Sequence, residues 1–118
     1  MPSSTKEKGK EGEEKAVTLL IEKGFEIIER NYRYGKGEID IIARDKEFLV
    51  FVEVKSRESL EYGKPEEAIT KRKMSQIRKI TEAYLAEKNI TNENIRFDVV
   101  AILFLNGEIS IEHYENAF

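Results

Sequence analysis

Apolar residues recur at helical spacing near the start of the chain, with polar residues between them. They are Ala16, Val17, Leu20 and Ile21. This pattern predicts an amphipathic helix that ends at Gly24, because glycine commonly follows the last helical turn. The polar residues 1–8 are predicted to form a flexible tail, and residues 9–118 a single domain.

Three extended segments follow the helix. Residues 25–32 predict a first strand, and two glycines, Gly35 and Gly37, separate it from the segment GEIDIIA. A polar step then leads into EFLVFVEVK at residues 47–55. The last two segments are predicted to pair as a β-hairpin.

The second half of the chain predicts one helix and two strands. Pro65 suits the first turn of a helix, and Thr70 is a candidate cap at which the helix restarts. Residues 96–105 are strongly apolar and predict an interior strand, and Asn106-Gly107 predicts a turn into a last strand. The order α-β-β-β-α-β-β predicts an α/β fold with helices on a mixed sheet. The third and fourth strands are expected to be parallel, because a helix connects them.

Composition narrows the class of protein. The chain is 40% hydrophobic and 36% charged, and its longest apolar run, residues 99–105, is far shorter than the ~20 residues that span a bilayer. The polar N-terminus lacks the features of a secretory signal, so we expect a cytoplasmic protein with no membrane segment. With no cysteine and one histidine, His113, a metal would be held by oxygen ligands, which favours Mg²⁺ or Mn²⁺ over zinc. His113 itself suggests no role.

Charged residues inside apolar strands are the candidates for chemistry. Asp40, Glu53 and Lys55 lie in the predicted hairpin, where burial is costly unless such groups are paired, metal-bound or at an edge. A two- or four-residue loop centred between Asp45 and Lys46 would place Asp40 opposite Phe51, with the other two charged groups on the same face. A three-residue loop would turn Asp40 to the other face.

This arrangement would suit a divalent cation. Asp40 and Glu53, with the main-chain carbonyl of Val54, offer the ligands that Mg²⁺ prefers. Lys55 would orient the attacking water, as in phosphodiester hydrolysis, and Glu13 would extend the buried helix face towards the site. Each feature also has an ordinary interpretation: an E-x-K pair occurs by chance, and Glu13 is equally consistent with a solvated first-turn acid.

Basic residues form local clusters despite a net charge of −3, which disfavours binding by positive field alone. Lys71, Arg72 and Lys73 are typical of the solvated face of a helix, and phosphate contact is the less favoured interpretation. The stretch RNYRYGKG, with Arg33 and Lys36, would serve equally well as a base-stacking or backbone-binding segment or as a charged strand edge.

Five short motifs together resemble one family. They are GEIDIIARD, FVEVKSR, RFDVV, the terminal NAF, and G-E-x-x-A at residues 12–16. Over residues 9–118 the chain resembles the YraN-like family of uncharacterised bacterial proteins, which is similar to the PD-(D/E)XK nuclease superfamily and its Holliday-junction resolvases.

The resemblance implies a restriction-endonuclease-like fold, magnesium as cofactor and branched or structured DNA as substrate. It implies that Asp40 is the first-motif aspartate, that Glu53 and Lys55 are the E-x-K pair, and that Glu13 is the helix acid. Ile39 stands where the superfamily motif has proline. Related resolvases act as dimers, so a homodimer is a further expectation, although no surface patch in the sequence identifies an interface.

The leading hypothesis is a magnesium-dependent nuclease acting on DNA rather than RNA, with phosphate contacts from Arg57 and from residues 71–73. One alternative is a nucleic-acid-binding accessory module with weak or no catalysis. Another is a small interaction domain whose charged strand residues form a structural ion-pair network. The sequence leaves open whether the chain cleaves its substrate.

Overall fold

The computed structural model describes residues 5–118, with side chains from residue 9. The elements are α1 (Thr5–Glu22), β1 (Glu26–Tyr34), β2 (Gly37–Asp45), β3 (Phe48–Arg57), a short 3-10 helix (Pro65–Ala68), α2 (Lys71–Glu87), β4 (Asn94–Leu105) and β5 (Glu108–Tyr114). Residues 1–4 of the expected tail lie outside the described part, and α1 begins within that expected tail. The predicted order of helices and strands is confirmed. No helix within the described residues is long and apolar enough to cross a membrane.

One five-stranded sheet, in the order β1-β2-β3-β4-β5, forms the centre of the domain. β3 and β4 are parallel, as predicted, and the other neighbouring pairs are antiparallel. α2 connects the two parallel strands, and such a crossover helix packs on one face of the sheet. α1 packs on the other face, so the domain is a three-layer α/β sandwich.

Each face of the sheet has its own apolar core. The core on the α1 face contains Ala16, Leu20, Phe25, Ile41, Ala43, Val50, Val52, Val100, Ile102 and Phe104. The core on the α2 face contains Tyr32, Ile39, Ile42, Leu49, Phe51, Ile77, Ile80 and Tyr84. Alternation along β3 sends Val50 and Val52 to one core and Leu49 and Phe51 to the other, as the period of two requires.

The segment that begins at Pro65 is divided into two helices rather than one. Its first four residues form the 3-10 helix, and Ile69 and Thr70 then adopt extended backbone angles. The Thr70 side chain accepts a hydrogen bond from the Lys73 main-chain N–H at 3.2 Å, which caps α2. The predicted cap is therefore confirmed, and it begins a new helix.

The register of the β2–β3 hairpin differs from the prediction. Asp45 pairs with Phe48, so the two-residue turn is Lys46-Glu47, one position later than expected, and Phe51 lies opposite Ile42. Lys46 adopts a positive φ of 55°, in a turn without glycine or asparagine to mark its centre. The expected pairing of Asp40 with Phe51 is wrong. Continuing the observed register places Asp40 directly opposite Glu53.

Gly12 allows α1 to approach β3 closely. A Cβ atom at this position would lie 2.2 Å from Ser56 Oγ and 3.3 Å from Ile102 Cδ1. The glycine therefore permits contact between the helix and the strand that carries Glu53 and Lys55. Glu13, the next residue, is held at the same end of the sheet.

A buried polar cluster surrounds Asp98 on β4. Asp98 accepts hydrogen bonds from Arg96 Nε and Nη2, both at 2.9 Å, and from the Asn116 main-chain N–H at 3.0 Å. His113 Nε2 lies 2.8 Å from Asp98 Oδ2, and Lys23 Nζ lies 2.8 Å from His113 Nδ1. Since the carboxylate accepts and the ammonium donates, the proton of the ring is on Nε2. His113, to which the sequence assigned no role, connects a surface lysine to a buried aspartate.

Candidate functional site

The main-chain pairing between β2 and β3 ends just before the candidate acids. The last paired residues are Ile41 and Val52, and beyond them Asp40 Oδ2 accepts a hydrogen bond from the Val54 main-chain N–H at 2.8 Å. A side chain thus takes the place of a ladder carbonyl. This holds Asp40 between the two strands at the point where they separate.

Near Asp40, the alternation of side chains between the two faces of the sheet is interrupted in both β1 and β2. Asn31 has a positive φ of 54°, and its neighbours Arg30 and Tyr32 lie on opposite faces although they are two residues apart. In β2, Ile39 belongs to the α2-side core and Ile41 to the α1-side core, so Asp40 lies where the alternation is interrupted. The local irregularity allows the carboxylate to face a cavity instead of a core.

The carboxyl groups of Asp40 and Glu53 contact each other closely enough to share a hydrogen bond when one is protonated. Glu53 is 7% exposed, and its Oε2 atom is buried without a hydrogen-bond partner among the described residues. Burial, followed by the hydrogen bond with Glu53 and its negative charge, raises the pKa of Asp40 well above its usual range, although the bond from Val54 opposes this.

A pocket of about 540 Å³ opens beside Asp40. It is lined by Gly9, Glu13, Asp40, Val54, Lys55, Ser56, Arg57, Glu58, Ser59 and Tyr62. Within the described residues, Lys55 forms no ion pair with Glu53, whose cationic neighbour is Lys73 instead. Arg57 donates to the Ser56 carbonyl at 3.3 Å, and its Nε atom is buried without a partner there.

Glu13 lies near the acid pair but is engaged elsewhere. Its Oε1 is 3.4 Å from Arg30 Nη2, and the same nitrogen is 2.9 Å from Glu14 Oε1. Burial and the charge of Asp40 raise the pKa of Glu13, and hydrogen bonds with Asn31 and Arg30 oppose that shift. No group of three or more acidic or histidine side chains within the described residues is close enough to hold a metal. The acid pair is therefore the centre of the site, and Glu13 stands beside it.

The candidate phosphate-binding residues divide into two groups. Lys73 Nζ lies 3.8 Å from Glu53 Oε2, which brings the start of α2 to the acid pair. Lys71 and Arg72 are exposed in the first turn of the same helix. Arg33 pairs with Glu38 at 3.2 Å and remains 80% exposed, and Lys36 is exposed in the β1–β2 turn, and neither residue lines the pocket.

Sequence reasoning missed the contact of Lys73 with Glu53 and the position of Tyr62 on the pocket. Lys73 was predicted on a helix whose placement relative to β3 the sequence does not give. Tyr62 is an aromatic residue within the polar loop SRESLEYGK, between the E-x-K pair and the next helix. An aromatic residue so close to a candidate site is the signal by which it could have been found.

The fold and the site define a restriction-endonuclease-like α/β domain with an aspartate and a glutamate facing each other at the separation of two strands. The model of the uncharacterised protein family UPF0102 matches residues 12–102, and the chain belongs to this family. The predicted resemblance to YraN-like proteins is thereby confirmed.

Similar proteins from several bacteria bear the same family name. The UPF0102 protein of Chlorobium phaeobacteroides is 47% identical over 93% of this chain and 92% of its own length. Those of Dictyoglomus turgidum and Persephonella marina are 44% and 47% identical, over 98% and 94% of this chain and 99% and 92% of their own lengths. The family name describes no activity.

Proposed function

We propose that the chain is a divalent-metal-dependent nuclease that hydrolyses phosphodiester bonds in DNA. The observation that carries the proposal is the pair Asp40 and Glu53, two carboxyl groups in contact at the edge of a pocket that also contains Lys55. Two carboxylates this close repel each other, and a cation removes the repulsion. The acid pair lowers the stability of the domain, so a domain in which the pair had no function would be more stable without the pair.

The side chains present fit a small oxygen-preferring cation. Glu53 Oε2 is buried and lacks a hydrogen-bond partner among the described residues, which is costly unless a ligand satisfies it. Asp40, Glu53 and the main-chain carbonyl of Val54 would hold Mg²⁺ or Mn²⁺, with Glu13 in support. The donor set is oxygen throughout, which favours these ions over zinc.

When bound, the cation would supply Lewis-acid stabilisation of the phosphate and a more acidic water. Lys55, which lines the pocket, would orient that water and neutralise charge that develops on the phosphate. Arg57, with an unpartnered Nε, would contact a phosphate oxygen. Lys73 would leave Glu53 for the substrate backbone, because its 3.8 Å separation is too long for a hydrogen bond.

Further contacts with DNA would come from basic residues outside the pocket. Lys71 and Arg72 are exposed next to Lys73, and Arg33 and Lys36 are exposed at the β1–β2 turn. Such contacts position a nucleic acid without reading its sequence. They would offset the net charge of −3 locally. A homodimer and a cytoplasmic location remain predictions, the first testable from the mass of the purified protein in solution.

The test is cleavage of linear, flapped and four-way-junction DNA with Mg²⁺, Mn²⁺ or EDTA. Asp40→Asn and Lys55→Ala should each reduce cleavage by at least about 100-fold, because a ligand or the water-orienting group is lost. Lys88→Ala removes a lysine that does not line the pocket and should cleave normally. All variants are first compared by circular dichroism to establish that they fold.

Two other outcomes would overturn the proposal. Salt-sensitive DNA binding without metal-dependent cleavage by the folded protein would indicate the accessory binding module. Absence of both cleavage and binding would indicate an interaction domain.

A further inference from the structure

Tyr62 is the most exposed aromatic residue of the pocket region, with 81% of its surface accessible. Its loop contains a tight turn, in which the Gly63 main-chain N–H donates to the Leu60 carbonyl at 3.1 Å. Gly63 has a φ of 93°, which favours glycine, and the buried Pro65 follows. The turn places Tyr62 on the wall of the pocket.

The pocket combines an aromatic wall with cationic groups. Tyr62 lines it together with Lys55 and Arg57, and its volume of about 540 Å³ is within the usual range for small-ligand sites. The buried Arg57 Nε has no hydrogen-bond partner within the described part of the chain. An aromatic face beside cationic groups, one of which has an unsatisfied donor, is the combination that recognises a base together with its phosphate.

We infer that this pocket takes one unpaired nucleotide, with its base stacked on Tyr62 and its phosphate contacted by Arg57 and Lys55. The inference rests on the proposed function and names the substrate class: DNA with an unpaired nucleotide beside the bond to be cleaved, as at flaps, gaps and junctions. A base within a duplex is stacked on both faces, so it must leave the stack to meet Tyr62, and this costs least when the base is already unpaired.

The test measures binding rather than cleavage, so it does not depend on catalysis. Fluorescently labelled flapped and blunt duplexes of equal length are titrated with wild-type protein in EDTA at fixed salt, with anisotropy as the readout. Wild-type protein should bind the flapped DNA about tenfold more tightly than the blunt duplex. Tyr62→Ala should remove about tenfold of affinity for the flapped DNA and leave the affinity for blunt duplex unchanged. Tyr62→Phe keeps the ring and should retain the preference.

Leu60→Ala is the matched control, because Leu60 is 50% exposed in the same turn but does not line the pocket. This variant should bind like wild type. Equal affinity of wild-type protein for both DNAs, or an unchanged preference in Tyr62→Ala, would overturn the inference even if metal-dependent cleavage is observed. A preference that depends on Tyr62 without cleavage in Mg²⁺ would support the pocket and contradict the nuclease.

Discussion

Asp40 and Asp98 lie on strands of the same sheet in opposite environments. Asp98 is fully buried and accepts from Arg96, His113 and the Asn116 main chain. Asp40 is half-buried, receives one main-chain hydrogen bond and faces a second carboxyl group. Burial alone would raise the pKa of both. It does so for Asp40, whereas the partners of Asp98 outweigh burial and hold the pKa of that aspartate below its usual value.

The comparison distinguishes a carboxylate that stabilises the fold, Asp98, from a carboxyl group that lowers the stability of the fold, Asp40. A buried carboxylate with a complete set of donors connects the elements that supply them, here β4, β5 and the C-terminal segment. A carboxyl group that faces another acid destabilises the metal-free domain. Such a local conflict is typical of functional positions, where the site rather than the fold accounts for the residue.

The largest expected effect is the loss of stability in Asp98→Ala. Removal of the carboxylate leaves Arg96 buried at 8% exposure, with its ion pair to Asp45 at 2.9 Å retained and its two hydrogen bonds to Asp98 lost. Breaking a buried pair in this way costs about 3–5 kcal/mol, a large share of the stability of a small domain. Urea unfolding at neutral pH measures the loss. A loss under about 1 kcal/mol would mean that the cluster contributes little.

A smaller effect appears when Asp98 is titrated instead of removed. Because the folded pKa of Asp98 is below its unfolded value of about 3.9, its contribution is complete above about pH 4 and is lost as the pH falls through the folded pKa. Asp98→Asn, which keeps the shape, should cost about 2 kcal/mol at pH 7 and at pH 5. The difference from wild type should shrink below pH 4. A difference that is unchanged at pH 3 would contradict the lowered pKa of Asp98.

The fold was largely predictable because apolar periodicity differs between helices and strands. The run at residues 96–105 and the stripe containing Ala16 and Leu20 are both buried as expected. The hairpin register was not predictable, since the Lys46-Glu47 turn contains no residue that marks its centre. A shift of one position in the turn places Ile42 instead of Asp40 opposite Phe51.

The site was predictable in its residues but not in their contacts. Asp40 and Glu53 stand out because they interrupt apolar strands, and this signal is local in the sequence. Lys73 and Tyr62 reach the site only through the crossing of α2 and the path of the loop before it. Similarly, the polar cluster joins Asp98 to Lys23 and His113, which are remote in sequence and carry no shared motif.

Asp40→Asn should increase stability, in contrast to substitutions at Asp98. The amide oxygen can still accept from Val54, and the amide N–H can donate to Glu53, so repulsion between two carboxylates is replaced by a hydrogen bond. We expect a gain of about 1–2 kcal/mol in urea unfolding with EDTA present, and loss of any stabilisation by Mg²⁺. Glu47→Gln, an exposed acid in the hairpin turn, should change stability little. A loss as large as that of Asp98→Asn would show that Asp40 is structural.

The smallest effect is expected at the surface end of the Asp98 cluster, where Lys23 Nζ lies 2.8 Å from His113 Nδ1. Lys23 is exposed, so solvent and salt weaken its contribution, and Lys23→Ala should cost about 0.5 kcal/mol. The ring of His113 remains held by Asp98, which explains why the loss is small. Urea unfolding at low and high salt, with Lys79→Ala as an exposed control, measures it. A loss near that of Asp98→Ala would mean that the ammonium group, and not Asp98, fixes the orientation of the histidine, and that the cluster extends to the surface as one unit.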